Sequence, residues 1–277
     1  MTGPHHHGAP HRGASVSEPP PWLVTVATCP STNTWALEHL TDLPHGSVIY
    51  TAQQTAGLGQ RERRWLSPAG VLTASFVLRL DAAAAGPHLS LAAGLAVAHC
   101  VEDLDPDAGV ALKWPNDCYC HHRKLAGVLC EARLQQTQLT AVIGIGLNVA
   151  PHWDAGDQFP GLTAPPIALS DLGIADPGHL WLLTTLRRYL LEAVGMLRAG
   201  RWEGIADELR RRDYLRDRRC AVTVHDAQLT GTGAGIDSDG RLLLALDTGG
   251  HRAIDSGTVS LLPAAGDDST PTPKQAG

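Results

Sequence analysis

The sequence predicts an α+β protein: a mixed β-sheet domain flanked by helices, followed by a small β-barrel. Three observations carry this. Strand-like runs cluster between Ala111 and Asn148, apolar residues recur at helical spacing over 88–103 and 178–199, and the pattern changes to short strands and hairpin turns over 220–262.

At 277 residues the chain can bury a sizeable core and holds one large domain and one small one. Hydrophobic residues make up 43% and charged residues 18%, which excludes wholesale disorder. The net charge of −6 gives no global positive field to attract nucleic acid or anionic lipid, so specific DNA binding is not expected. No run approaches the ~20 apolar residues that span a bilayer, and the start lacks a signal-peptide layout. The expected location is cytoplasmic, with no membrane attachment. Cys100, Cys118, Cys120 and Cys130 fall in apolar segments, as reduced structural thiols do. The run Cys118-Tyr119-Cys120-His121-His122 offers metal-ligand types, but it lacks a second Cys/His pair at zinc-site spacing.

Residues 1–21 are rich in Gly, Pro, His, Ala and Ser and are predicted to be disordered. A strand over 22–28 ends at Cys29-Pro30 and is followed by Ser31-Thr32-Asn33 and an amphipathic helix through Trp35, Leu37 and Leu40. On residue chemistry alone, Ser31 or Thr32 is a helix N-cap. A second strand over 47–53 runs into Gly57-Leu58-Gly59-Gln60-Arg61-Glu62-Arg63-Arg64-Trp65. Glycines let backbone amides approach an anion, and guanidinium groups pair bidentately with phosphate or carboxylate. Such a loop can also be only a solvated turn. The segment 70–80 is a core strand interrupted by Ser75 and Arg79, and 88–103 is a buried packing helix.

From Val110 the chain alternates until Pro115, which cannot donate to a ladder, so that strand stops at Trp114. Asn116 and Asp117 then lie at a strand end or turn. Strands over 125–134 and 138–149 are joined by Gln135-Gln136-Thr137, and their pairing brings Lys124 and Asn148 toward one sheet edge. A lysine in that place is either a solvated strand end or a cation at the mouth of a pocket. Residues 151–166 are a loop containing Trp153 and Phe159. A helix over 178–199 presents Leu180, Leu183, Leu186, Leu190 and Val194 on one face, and a second covers 202–212. The six arginines between Arg210 and Arg219 sit at a domain junction. Five short strands follow, and 264–277 is a polar tail predicted to be disordered.

Lys113-Trp114-Pro115-Asn116-Asp117, then Lys124-Leu125-Ala126-Gly127 and Gly144-Ile145-Gly146-Leu147-Asn148, closely resembles the central motif of biotin–protein ligases. The resemblance runs from about Trp22 to Leu262. It implies a class II aminoacyl-tRNA synthetase-like biotin–lipoate ligase fold over 22–215 and an SH3-like domain over 216–263. It further implies ATP and biotin as substrates, Mg²⁺ as cofactor, biotinyl-5′-AMP as intermediate, and a biotin carboxyl carrier protein of acetyl-CoA carboxylase as acceptor. The start is too short for the repressor domain of some relatives, so the chain resembles the single-function type. A homodimer is left open.

Carried over position by position, the resemblance makes Lys124, Arg61 and Arg63 catalytic. Biotin falls to Ser31, Thr32, Asn33, Gln54, Gly57, Gly59, Lys124, Gly127, Gly144 and Gly146. The adenylate falls to Gln60, Arg61, Arg63, Trp65, Asn116, Asp117, Asn148 and Trp153, with Asp117 on the metal. Lys113, inside its strand, is ranked below Lys124. Leu58 and Gln60 stand where the family has arginine, and Glu62 stands where it has glycine, which should weaken retention of the adenylate. The alternatives are a lipoate or octanoate ligase, whose members lack the Lys-Trp-Pro-Asn-Asp block, and a non-catalytic biotin or nucleotide sensor.

Overall fold

A computed structural model of the protein describes residues 18–81, 87–135, 138–154, 156–159, 162–225 and 227–263. The expectations for 1–17, for the turn at 136–137 and for 264–277 lie outside them.

Leu23–Thr25 (β1) pairs parallel with Val48–Thr51 (β2), and every other pairing in the large sheet is antiparallel. Val71–Asp81 (β3), Ala111–Lys113 (β4), Asp117–Cys120 (β5), Arg123–Gln135 (β6) and Gln138–Asn148 (β7) complete it. The order is β1-β2-β3-β7-β6-β5-β4. Gly70 turns into β3 at φ +88, a conformation side chains rarely adopt, and a Cβ there would overlap the Ala150 carbonyl.

Alternation along β3 sorts the two faces of the sheet. Phe76, Leu78 and Leu80 join the main core with Pro87–Glu102 (α2) and His179–Arg198 (α3). Val77 faces the other way, packing with Val142, Ile49 and Ala36 of Thr32–Glu38 (α1). Burying each large apolar side chain contributes about 1.5–3 kcal/mol, so it is packing on both faces that holds these strands in place. α2 is apolar nearly all round because it lies between the sheet and α3, with Trp202–Arg211 (α4) against it. On α3 the buried stripe runs through Leu182, Leu183, Leu186, Leu190 and Val194. The expected Leu180 lies in the first turn and is 40% exposed.

Two local expectations change. Ser31 takes the extended N-cap backbone of α1 without any side-chain cap, and Thr32 is already helical. The central block holds four strands rather than three. β5 was not foreseen, because Asp-Cys-Tyr-Cys is too short to show a period, and it folds back on β4 through Trp114-Pro115-Asn116.

Arg219–Val224 (β8), Ala227–Ile236 (β9), Leu242–Leu246 (β10), His251–Ile254 (β11) and Thr258–Leu261 (β12) form a separate antiparallel sheet ordered β11-β10-β9-β8-β12. It is tied to the large domain where the buried Trp114 indole donates to the Gly240 carbonyl at 3.0 Å.

Candidate active site

One cavity, about 1250 Å³ counted out to its open mouth, lies between the large sheet, the Gly57–Trp65 loop and the start of β12. Its closed end is polar. Ser31, Thr32 and Asn33 are each at most 3% exposed, because the entry to α1 packs on β3 and β7. Gln54 Oε1 accepts from the Thr32 amide at 3.0 Å. The Ser75 hydroxyl sits 2.7 Å from Thr32 Oγ1 and 2.5 Å from Asn33 Oδ1. Asn33 Nδ2 donates to Glu131 Oε2 at 2.9 Å and to the Leu129 carbonyl at 3.2 Å. Both polar atoms of the Asn33 amide are therefore held by protein partners, which fixes its orientation at the cavity wall.

Ser75 and Glu131 did not stand out as site residues. The only trace of Ser75 in the sequence was a hydroxyl breaking an apolar strand; in the fold it is fully buried. Glycine at 144 makes room for Asn33, whose Oδ1 would lie 2.5 Å from an added Cβ, and at Gly146 a Cβ would fall inside the Trp65 indole. Trp65 thus packs over Gly127 of β6 and Gly146 of β7, and its buried Nε1 has no hydrogen-bond partner among the described residues.

The open end is charged. Lys124 Nζ stands 2.6 Å from Asp117 Oδ1 and 5.4 Å from the centre of the Trp65 ring. The contact is Coulombic, since that oxygen has no partner in hydrogen-bonding geometry. Lys113 faces Asp117 across the β4–β5 register, is 8% exposed and lines the same cavity. Burial lowers its pKa from the ordinary 10.5. Asp117 opposes that shift, while Lys124 and Arg63 reinforce it. Among the described residues Lys113 has no ion-pair partner, and its Nζ stands 5.5 Å from the centre of the Tyr119 ring. Sequence reasoning ranked this lysine below Lys124, yet both reach the cavity.

Gly59, Gln60, Arg63, Asn116 and Gly127 also line the cavity. Asn116 Nδ2 donates to the Val128 carbonyl at 2.6 Å. Four residues carried over from the resemblance do not line it. Gly57 lies behind Gln54 and the Trp65 carbonyl, and Asn148 ties the end of β7 to the loop before residue 168 by donating to the Ile167 carbonyl at 3.0 Å. Arg61 reaches the C-terminal sheet instead, donating to Thr258 Oγ1 at 2.7 Å. Trp153 packs edge-on against Phe159 at 5.2 Å, and it is Phe159 that meets the cavity. Thr258 and Val259, from β12, supply a wall that no local pattern announced. The described residues contain no cluster of three or more His, Cys, Asp or Glu able to hold a metal.

Comparison with known proteins agrees with this geometry. Residues 25–148 match the biotin/lipoate A/B protein ligase family and residues 217–262 match the biotin protein ligase C-terminal domain. The biotin–[acetyl-CoA-carboxylase] ligase of Mycobacterium tuberculosis is 35% identical over 215 residues, covering 76% of each chain. The bifunctional ligase/repressor BirA of Salmonella typhimurium is 35% identical over 229 residues, 78% of this chain and 67% of that one. In fold, the chain resembles the Aquifex aeolicus biotin protein ligase solved with biotin and ATP, at TM-score 0.72 and 24% identity over 87% of this chain and 99% of that one. The sheet, the C-terminal strands and this level of identity to full-length ligases lead to one conclusion: the chain belongs to the biotin–protein ligase family.

Proposed function

We propose that the cavity joins biotin to ATP and then passes the biotinyl group to a carrier lysine. The chain is an ATP-dependent ligase. A biotin carboxylate oxygen attacks the α-phosphorus, the bond to the β-phosphate breaks and pyrophosphate leaves. A lysine amine of a biotin carboxyl carrier protein, that of acetyl-CoA carboxylase, then attacks the mixed-anhydride carbonyl, forming an amide and releasing AMP.

One observation carries the reading: a buried hydrogen-bonding end and a cationic end that includes Lys124 share one cavity. The ureido ring suits the end built by Ser31, Thr32, Asn33 and Gln54, where a plain acyl chain would leave polar groups unpaired. Joining two anions requires fixed cations, and Lys124 and Arg63 supply them where charge develops. Lys113 adds a second lysine, which we assign to the phosphate chain. Gln60, Asn116 and Trp65 flank the nucleotide side. Magnesium suits Asp117, whose buried Oδ1 lacks a hydrogen bond, because Mg²⁺ commonly takes one or two carboxylates plus substrate phosphates. When bound it neutralises the leaving phosphates.

We place the domain limits at 22–215 and 216–263, where the large sheet and its helices give way to the C-terminal sheet. A cytoplasmic setting accords with six unbridged cysteines, two of which, Cys100 and Cys130, are pushed up to about 12 by burial. No helix among the described residues is long and apolar enough to cross a membrane. Of the six junction arginines, Arg210, Arg212 and Arg219 pair with acidic side chains of this chain.

The test is the intact mass of a biotin carboxyl carrier domain after incubation with the protein, ATP, Mg²⁺ and biotin. A biotin-sized gain, absent with Lys124→Ala and absent with lipoate in place of biotin, is the expected result. No gain with biotin still bound would leave only a sensor.

A further inference from the structure

We infer that Arg61 is a positioning residue that latches the Gly57–Trp65 loop to the C-terminal sheet, and that Thr258 is its catch. The inference rests on the ligase reading and says what keeps biotinyl-adenylate in the cavity. The loop is a small hairpin: the Trp65 amide donates to the Gly57 carbonyl at 2.8 Å, and the Gly59 amide donates to the Arg63 carbonyl at 2.7 Å. Its two arms carry Gln60, Arg63 and Trp65 into the cavity lining.

At the tip, Arg61 takes a left-handed backbone, φ 54 and ψ 47. A side chain in that region is uncommon and persists where its surroundings hold it. Here the guanidinium Nη1 donates to Thr258 Oγ1 at 2.7 Å and to the Thr223 carbonyl at 3.4 Å. These two acceptors are register partners across β8 and β12. Gly257 lets β12 enter tightly against β8, since a Cβ there would come within 2.9 Å of Val222 Cγ1. Thr258 also lines the cavity, so the latch joins two of its walls. Opening that bond frees the loop wall from the β12 wall and widens the way out for a molecule held between them. The guanidinium therefore acts on the adenylate through the loop and not by contact with phosphate.

The experiment measures release of preformed biotinyl-adenylate from the full chain in wild type, Arg61→Ala, Thr258→Val and the double variant. Each single variant is expected to release it roughly tenfold faster, the scale of one charge-assisted hydrogen bond. The double variant should be no faster than either single, because both remove the same bond. Thr258→Ser, which keeps the hydroxyl, should restore slow release. Slowed adenylate formation in Arg61→Ala beside wild-type behaviour in Thr258→Val would overturn the latch, as would effects that multiply in the double variant. Tryptic cleavage at Arg63 and Arg64 without substrates gives a second readout, expected to quicken equally in both single variants. Wild type that makes no adenylate would sink the ligase reading, while the proteolysis would still decide the latch.

Discussion

At the seam between α2 and α4, Arg212 reaches both carboxylate oxygens of Glu102 and one of Glu208 at 3.0 Å, while His99 stands 2.6 Å from that same Glu208 oxygen. In the cavity, Asp117 faces Lys124 at 2.6 Å with Lys113 opposite and Arg63 beyond. Burial is similar: the side chains of Arg212 and Lys124 are 19% and 18% exposed. Satisfaction differs. Carboxylates at the seam outnumber the permanent cation and hydrogen-bond it, whereas four cations, Arg63, Arg64, Lys113 and Lys124, line the cavity with one carboxylate, whose Oδ1 lacks a hydrogen bond. An uncompensated buried charge is costly, so a fold keeps one where something else completes it. The seam is finished by the protein, and the cavity is finished by its substrates.

The comparison is broken hardest at Lys124. Lys124→Ala should slow ATP-dependent adenylate formation roughly 10³-fold, as loss of a fixed cation at developing charge does, while the chain stays folded. Pyrophosphate exchange measures it, and a surviving rate would remove Lys124 from the chemistry. Arg212→Met should do the opposite, costing about 2–3 kcal/mol in urea unfolding, less than a fully buried pair would. The KM for ATP should not move. Burial opposes the charge on Glu208, but His99 and Arg212 prevail and hold its carboxyl below 4.5. Its contribution is therefore present above pH 4.5 and lost as pH falls through the lowered value, so the acid limb of stability should flatten in the Arg212 variant.

Lys113 sharpens the contrast. Lys113→Met should raise the KM for ATP about tenfold, the scale of a hydrogen bond to a charged group, without lowering the melting temperature. Because burial lowers its pKa below 10.5, the ammonium is lost on the alkaline side before that pH. ATP binding by wild type should weaken as pH rises there, and Lys113→Arg should keep it. For stability the sign reverses: between the lowered value and 10.5 the unfolded chain binds the proton more tightly, so the penalty of burying this charge fades as pH rises. The smallest effect is expected from Leu58→Arg. It adds a guanidinium at a cavity position that is 43% exposed and should slow adenylate release roughly threefold by a rapid-dilution assay, in line with a surface ion pair.

Much of the site was legible in the motif residues. Lys124, Asp117, Asn116, Gly144 and Gly146 meet in one cavity because β4 through β7 are consecutive neighbours, so closeness in sequence became closeness in space. Ser75 and Glu131 were not legible as partners of Asn33, since each lies more than forty positions away, at 42 and 98. Asn148 has the right residue type in the right motif but turns its amide toward the backbone carbonyls of Lys124 and Ile167. Phe159 and Trp153 share one loop, and composition alone could not tell which ring meets the cavity.

What the sequence determined by itself was local: helix and strand periods, the stop at Pro115, the change of pattern near Cys220, and a motif specific enough to imply the family. Those signals report burial over spacings of two to four residues, which the chain carries wherever it folds. Only the tertiary structure decided which cation faces which anion, that Lys113 is buried with no ion-pair partner among the described residues, and that β12 supplies part of the cavity wall. The bond from Arg61 to Thr258 spans 197 residues. No periodicity records such a contact, because it exists only once the two sheets have docked.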